Sequence, residues 1–321
     1  MTATLPPEVQ QVFERFITSE FTTLDRTGQP ITWPVTPYYS LGGPCIDVTT
    51  GIGYPKKAKD ARANPKVALL FSDPTGSGLD ASAPQVLVQG IAEVDDRDLD
   101  ANRERYARES AVKLPRTQSL LPPKPIRRLF AWYFARVYVH VRPERVYVWE
   151  DGDVMRAPQL LDAHLEEVRS GHVEEPPGGH APPMGAAATW DPRLDELGAR
   201  YPTAVLTLVA PDGFPFSARV PIAVDHAARR LRIAGEPVGI PLQPGRACVT
   251  AHEHAEDFTW QRNFQVRGDL VEDDGGWALV PRRLVGGFEL PPSKVAALRQ
   301  NARKSVRYHR TARAELRRRR D

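Results

Sequence analysis

A strand-like run ends at Thr49 and Thr50, a loop with two glycines follows, and Lys56 and Lys57 open a helix-like stretch in "VTTGIGYPKKAKDARANPKVALLFSD". Two hydroxyls, the free N–H groups of a helix start and two ammonium groups meet in one short segment. Those groups together suit a phosphate, which takes hydrogen bonds from backbone N–H donors and charge-assisted ones from lysine. Solvated surface lysines beside a turn give the same letters, so the pattern by itself leaves both readings open.

Other chemistry-bearing residues are sparser. His252, His254 and Glu256 alternate, which places them on one face of a strand. A metal site would use that spacing, but so would a polar rim along a groove, and the rim is the preferred reading; no metal is expected. Trp260, Gln261 and Arg262 follow directly, and Trp260 and Arg262 are candidates for the same groove. His140, inside "VYVHVRPE", reads as a strand histidine with a satisfied partner. Cys45 and Cys248 are the only cysteines, each in apolar text. They read as buried thiols in a reducing, cytoplasmic setting. No nucleotide-binding glycine fingerprint, triad or carboxylate pair stands out.

The elements that would hold these residues are short. A helix is expected over Glu8–Thr18, then strands at Phe21–Leu24, Ile31–Pro37 and Cys45–Thr50, separated by Gly, Pro and Asp turns. A short helix ends before Pro65, "KVALLF" and "PQVLVQG" are strands, Asp98–Lys113 is a charged helix, and "FARVYVHVRPERVYVWE" is a strand pair broken at "RPER". Much of this recurs. Pro7, Gly28, Pro30 and Val35 return as Pro192, Gly213, Pro215 and Val220, all four at one constant interval along the chain. Val88 and Gly90 return as Val266 and Gly268 in a register shortened by a loop. Two copies of one folding unit are therefore expected, packed as a pseudo-dimer with a groove between them.

The first copy resembles the pyridoxamine 5'-phosphate oxidase-like family of flavin-binding split barrels. That family's "T-x-x-S-R-K" loop and its helix ending in "N-P-x-V-A-L-L-F" match here, with Lys56 and Lys57 in the basic positions and Asn64, Pro65, Val67 and Phe71 in step. "PQVLVQG" resembles the family's "Q-V-R-V-x-G", which puts Gln85 at the glutamine that contacts flavin. "RPERVYVW" looks like the end of the family barrel. The resemblance implies a mainly β chain with flanking helices, built as two split β-barrel units in tandem. It implies FMN or a deazaflavin at the groove, with Thr49, Thr50, Lys56, Lys57 and Gln85 toward the cofactor, and an oxidoreductase acting on a small organic substrate. Some barrels of the family bind haem, for which His140, His252 or His254 are the ligand candidates, so a non-catalytic flavin or haem carrier is the alternative. Departures matter. Trp33 and Tyr38 stand where oxidase members carry arginine and lysine, so oxidation of pyridoxamine phosphate is not implied, and Trp33 is free to wall an apolar pocket or stack on a ring. The second copy, "AGEPVGIPLQPGRACV", has lost both lysines, so at most one flavin per chain is expected.

The divisions are a flavin-binding unit at 1–150, a Pro- and Gly-rich crossover at 151–190, a degenerate second unit at 191–293 and a basic helix or tail at 294–321. The chain has 321 residues and a formal charge of +3. From Lys294 to its end it carries eleven basic and two acidic side chains, leaving the body acidic. That argues against a nucleic-acid surface on the barrels, and the tail reads as a helix with a solvated, frayed end. No apolar run is long enough for a membrane span. The partners expected are a small-molecule substrate and either the second barrel of the same chain, as a monomeric pseudo-dimer, or a second copy in a homodimer. Arginine greatly outnumbers lysine, and alanine and proline abound, as in proteins of GC-rich bacteria.

Overall fold

The computed structural model describes residues 5–116, 131–162, 190–287 and 294–319, with backbone alone at 131, 162 and 294–305. Most of the expected crossover, 163–189, lies outside the described residues. The chain is mainly β, with helices on the outside.

Helix α1 (Pro7–Arg15) starts on a proline and buries Val9, Val12 and Phe13. It ends before the expected Thr18, because Ser19 already pairs with Val35 in the sheet. Strands β1 (Ser19–Leu24), β2 (Pro30–Val35), β3 (Tyr38–Tyr39), β4 (Ile46–Gly51), β5 (Lys66–Phe71), β6 (Gln85–Asp95), β7 (Arg136–Trp149) and β8 (Gln159–Asp162) form the first sheet. Their order is β2-β1-β5-β6-β7-β4-β3, with β8 on β7. Helices α2 (Lys56–Ala63), α3 (Leu99–Lys113) and α4 (Ala131–Phe134) flank it. The break expected at "RPER" is absent, and β7 runs through. Pro143 stands opposite Gly90, where the register shifts, and a bulge is where a ladder tolerates a residue without an N–H.

Strands β9 (Thr203–Val209), β10 (Pro215–Asp225), β11 (Arg230–Ile233), β12 (Gly245–His254), β13 (Gln261–Asp273) and β14 (Gly276–Gly286) close a second barrel. A 3₁₀ turn at Pro192–Glu196 replaces the helix of the first copy. Helix α5 (Lys294–Arg318) ends the chain and docks on the first barrel.

The repeat seen in the letters is a repeat in three dimensions. Gly28 and Gly213 both adopt positive φ, at 73° and 81°. Each N–H closes a turn on the residue three before it, Asp25 or Ala210. The β6 register shifts at Gln89/Gly90 and the β13 register at Arg267/Gly268, which are matching positions in the shorter register of the repeat. At the contact between barrels, Thr22 bonds Thr32 at 2.8 Å and Thr207 bonds Ser217 at 2.9 Å. Across it, Thr22 meets Ser217 at 3.2 Å and Thr32 donates to Thr207 at 2.9 Å. Thr207 and Ser217 are the repeat counterparts of Thr22 and Thr32, in the register that pairs Gly28 with Gly213, so these hydroxyls ring a local two-fold axis. Apolar burial continues through the contact: Ala68, Leu70, Leu87 and Trp149 join the core of the second barrel.

Candidate functional site

The loop between β4 and α2 is closed from several sides. The Thr50 hydroxyl donates to the Tyr54 carbonyl at 3.0 Å. Gly53 leaves little room for a side chain, because a Cβ would sit 3.1 Å from both Trp132 and Tyr308. The Tyr308 ring, from α5, lies 4.8 Å from Trp132 and 5.6 Å from Tyr54. The basic tail is thus not frayed here: Ala312 and Glu315 are buried, and Glu315 pairs with Lys59 of α2. Arg319 pairs with Asp96 at 2.9 Å.

Lys56 and Lys57 part company on α2. Lys56 takes Asp60 at 2.8 Å, one helical turn on, and is half exposed. Lys57 is half-buried and makes no ion pair among the described residues. Burial pushes its ammonium down to about 8, with the charge of Arg136 adding to the effect. Arg136 is the residue that sequence reasoning missed. It is 4% exposed and donates to the Tyr54 and Tyr106 hydroxyls at 3.1 and 2.8 Å. Its guanidinium carbon lies 4.0 Å over the Tyr106 ring and 4.1 Å over Tyr133. Among the described residues no carboxylate reaches it and its buried Nε has no partner. Arg136 pairs with Gly51 in the ladder and Tyr138 with Thr49. Thr49 therefore shares the Arg136 face of the sheet, and Thr50 the other.

Two clusters of side chains flank the local two-fold axis, one on the lysine side and one on the histidine side. On the lysine side, Trp33 of β2 meets Asn263 and Gly287, where a Cβ on Gly287 would run into both. Asn263 is the second-copy equivalent of Gln85. Gln85 itself pairs with Trp149 at the far end of β7 from Val137, the partner of Thr50. Its side-chain carbonyl accepts the Arg219 N–H at 2.6 Å. It therefore belongs to the histidine-side cluster and is not brought together with Lys57. There, Glu20 is wholly buried and accepts from Arg219 at 3.1 Å and from Ser72, with His252 beside it. Asp73 lies 3.8 Å from His252 and 3.7 Å from His254. Burial alone would raise Asp73, yet His252, Arg219, a Thr75 hydrogen bond and His254 hold it down at about 2. Among the described residues no cluster of His, Cys, Asp and Glu is arranged to hold a metal. His140 pairs with Asp47 at 2.7 Å. Trp260 caps the β12–β13 hairpin, its carbonyl accepting from Ala255. Arg262 turns to Glu196 with bonds of 2.6 and 2.8 Å. Cys248 is buried and Cys45 half-buried. A cavity of about 650 Å³ opens beside Ile17, Gly76, Lys113 and Glu256, and of the candidate residues only Glu256 lines it.

The fold is the split β-barrel, twice over. No family model and no curated protein matches the chain. Solved structures do. A protein related to general stress protein 26, of the pyridoxinephosphate oxidase family, from Clostridium acetobutylicum is 13% identical, with a TM-score of 0.33 over 48% of this chain and 92% of that one. An F420 reductase is 21% identical, with a TM-score of 0.34 over 44% of this chain and 98% of its own. An FAD-binding protein from Mesorhizobium loti is 20% identical, with a TM-score of 0.31 over 43% of this chain and 87% of that one. Each is a likeness of fold to under half of this chain. Among the described residues no helix is long and apolar enough to cross a membrane.

Proposed function

We propose that this chain binds the phosphate of FMN or of a deazaflavin on the lysine side and works as an oxidoreductase on a small organic substrate. One observation carries the reading: half-buried Lys57 and buried Arg136 stand within electrostatic reach of each other, with no carboxylate against either among the described residues. Burying a charge costs free energy unless an opposite charge offsets it. The tyrosine hydroxyls and ring faces around Arg136 offset part of that cost. A phosphate dianion would offset more and would give the Arg136 Nε an acceptor. Lys57 and Arg136 would hold the phosphate, and the Gly51–Tyr54 loop would shape its seat. Trp33 and Asn263 would wall the site, and Tyr308 would close the loop from outside.

When bound, the flavin supplies the hydride chemistry. The protein then needs to bind, orient and exclude water, which is why no acid–base constellation is required. A haem reading is weaker, since His140, His252 and His254 all have protein partners. The test is spectroscopic. The full chain titrated with FMN and with a deazaflavin should bind one of them at one per chain. Lys57→Gln should weaken that binding by roughly one to two orders of magnitude, the worth of a charge-assisted hydrogen bond. Failure of both cofactors to bind, or two sites per chain, ends the reading. Turnover of a nicotinamide donor by the loaded protein would separate an enzyme from a carrier.

A further inference from the structure

Arg145 of β7 and Arg283 of β14 stand at equivalent places in the two barrels. Arg145 is opposite Gln89 and Arg283 is opposite Arg267, each one step before a bulge glycine that faces a proline. The first of these arginines is satisfied. Arg145 pairs with Asp212 in the β9–β10 turn and lies 4.8 Å over Phe214. The matching turn of the first barrel, the one that contains Gly28, holds Thr27 where Asp212 stands. Arg283 accordingly faces no carboxylate among the described residues and is exposed.

The residue opposite has changed as well. Gln89 is neutral, fully buried and spent on the Pro215 carbonyl at 2.9 Å. Its counterpart Arg267 is half-buried, and among the described residues its one hydrogen bond runs from Nε to the Gln265 side-chain carbonyl at 2.7 Å, which leaves both Nη groups for a ligand. Burial holds Arg267 below its usual value, and Arg283 adds to that. Like charges directly opposite on neighbouring strands repel. The pair faces the first barrel: Gln265 reaches the Thr32 carbonyl, Cys248 opposite Arg267 meets Thr32, and Asp25 and Asp60 act on Arg267. Asp60 is shared with Lys56 of α2, so the carboxylates near Arg267 do not serve it alone.

We propose that Arg267 and Arg283 form an anion subsite on the second-barrel side of the lysine-side cluster, and that the substrate is a small organic acid whose carboxylate it takes. The guanidinium fork matches the planar carboxylate. The subsite stands on this geometry; calling its ligand the substrate rests on the oxidoreductase reading. Benzoate and its neutral isostere benzamide, titrated calorimetrically into the full chain, test it. Benzoate should bind about tenfold or more tightly than benzamide. Arg267→Gln, which restores the residue of the other barrel, should bring the two within about twofold. Arg283→Gln, at an exposed position, should narrow the gap without touching the fold. Lys57→Gln should keep the gap while weakening FMN. Equal binding of the two probes, no benzoate binding, or a preference that survives Arg267→Gln overturns the subsite. Loss of FMN binding with the preference intact would overturn only the flavin reading.

Discussion

Lys56 and Lys57 are neighbours in the sequence and do different work in space. A helix turns about 100° per residue, so only one of them can face Arg136. The sequence shows two lysines at a helix start; it does not show that Lys56 is neutralised by Asp60 while Lys57 is not. Arg136 left no local signal, because its tyrosine cage comes from residues 54, 106 and 133. Gln85 was legible as a family position, but which cluster it enters depends on strand ends that letters do not record. The residue-scale consequence is a pH dependence. The Lys57 ammonium titrates at about 8, below its ordinary value, from burial and then Arg136. Above that pH the free site is neutral at Lys57, and phosphate binding must first recover a proton. FMN affinity should be flat between about pH 7 and 8, where the phosphate is already a dianion, and fall by up to about tenfold per pH unit above it. The sign for the empty chain is opposite. Its folded state binds fewer protons than the unfolded chain between about 8 and the ordinary lysine value, so stability rises with pH there. Titrations at pH 7, 8 and 9 check both, and Lys57→Gln should abolish the first trend.

At the scale of elements, the repeat was readable because it is carried by turns and bulges, which demand particular residues. Gly28 and Gly213 need positive φ, and Gly90 and Gly268 need absent side chains. A Cβ at Gly90 would run into the Arg142 carbonyl, and one at Gly268 into that of Val280. Backbone cannot give way as a side chain tip can. Gly90→Ala and Gly268→Ala should each cost roughly 1–3 kcal/mol, read as a lower urea midpoint, whereas Gly286→Ala meets only the tip of the Arg193 side chain and should cost less. The run through "RPER" was misread because proline signals a break, and only the paired strand shows that a bulge absorbs it. The tail was misread for a related reason. Its charges suggest solvation, but Ala312 and Glu315 bury on one side and ion pairs at Lys59 and Asp96 hold the end. Truncation after Tyr308 should therefore lower Tm by several degrees, roughly 2–4 °C for each kcal/mol lost. An unchanged Tm would mean that those contacts carry no stability.

Duplication within one chain removes the equivalence that two-fold symmetry would impose. The lysine side kept its cations, and the histidine side filled with a buried network. Glu20 of the first barrel is wholly buried, with Arg219 and His252 of the second against it and Ser72 bonded to both its oxygens. The network crosses the contact, so it acts on the two barrels as a unit. A buried ion pair is weak evidence for stability, because desolvation consumes most of the attraction. Removing one partner is a different matter, since the other charge stays behind. Arg219→Met should lower stability by roughly 3–5 kcal/mol, and both barrels should lose their melting transition together, because Ala68, Leu70, Leu87 and Trp149 share the second core. Adding Glu20→Leu to Arg219→Met removes the stranded carboxylate. The double variant should recover part of the loss and melt above Arg219→Met alone. Additive losses in that cycle would mean that the pair is not coupled, and separate transitions for the two barrels would mean that the contact does not bind them into one cooperative molecule.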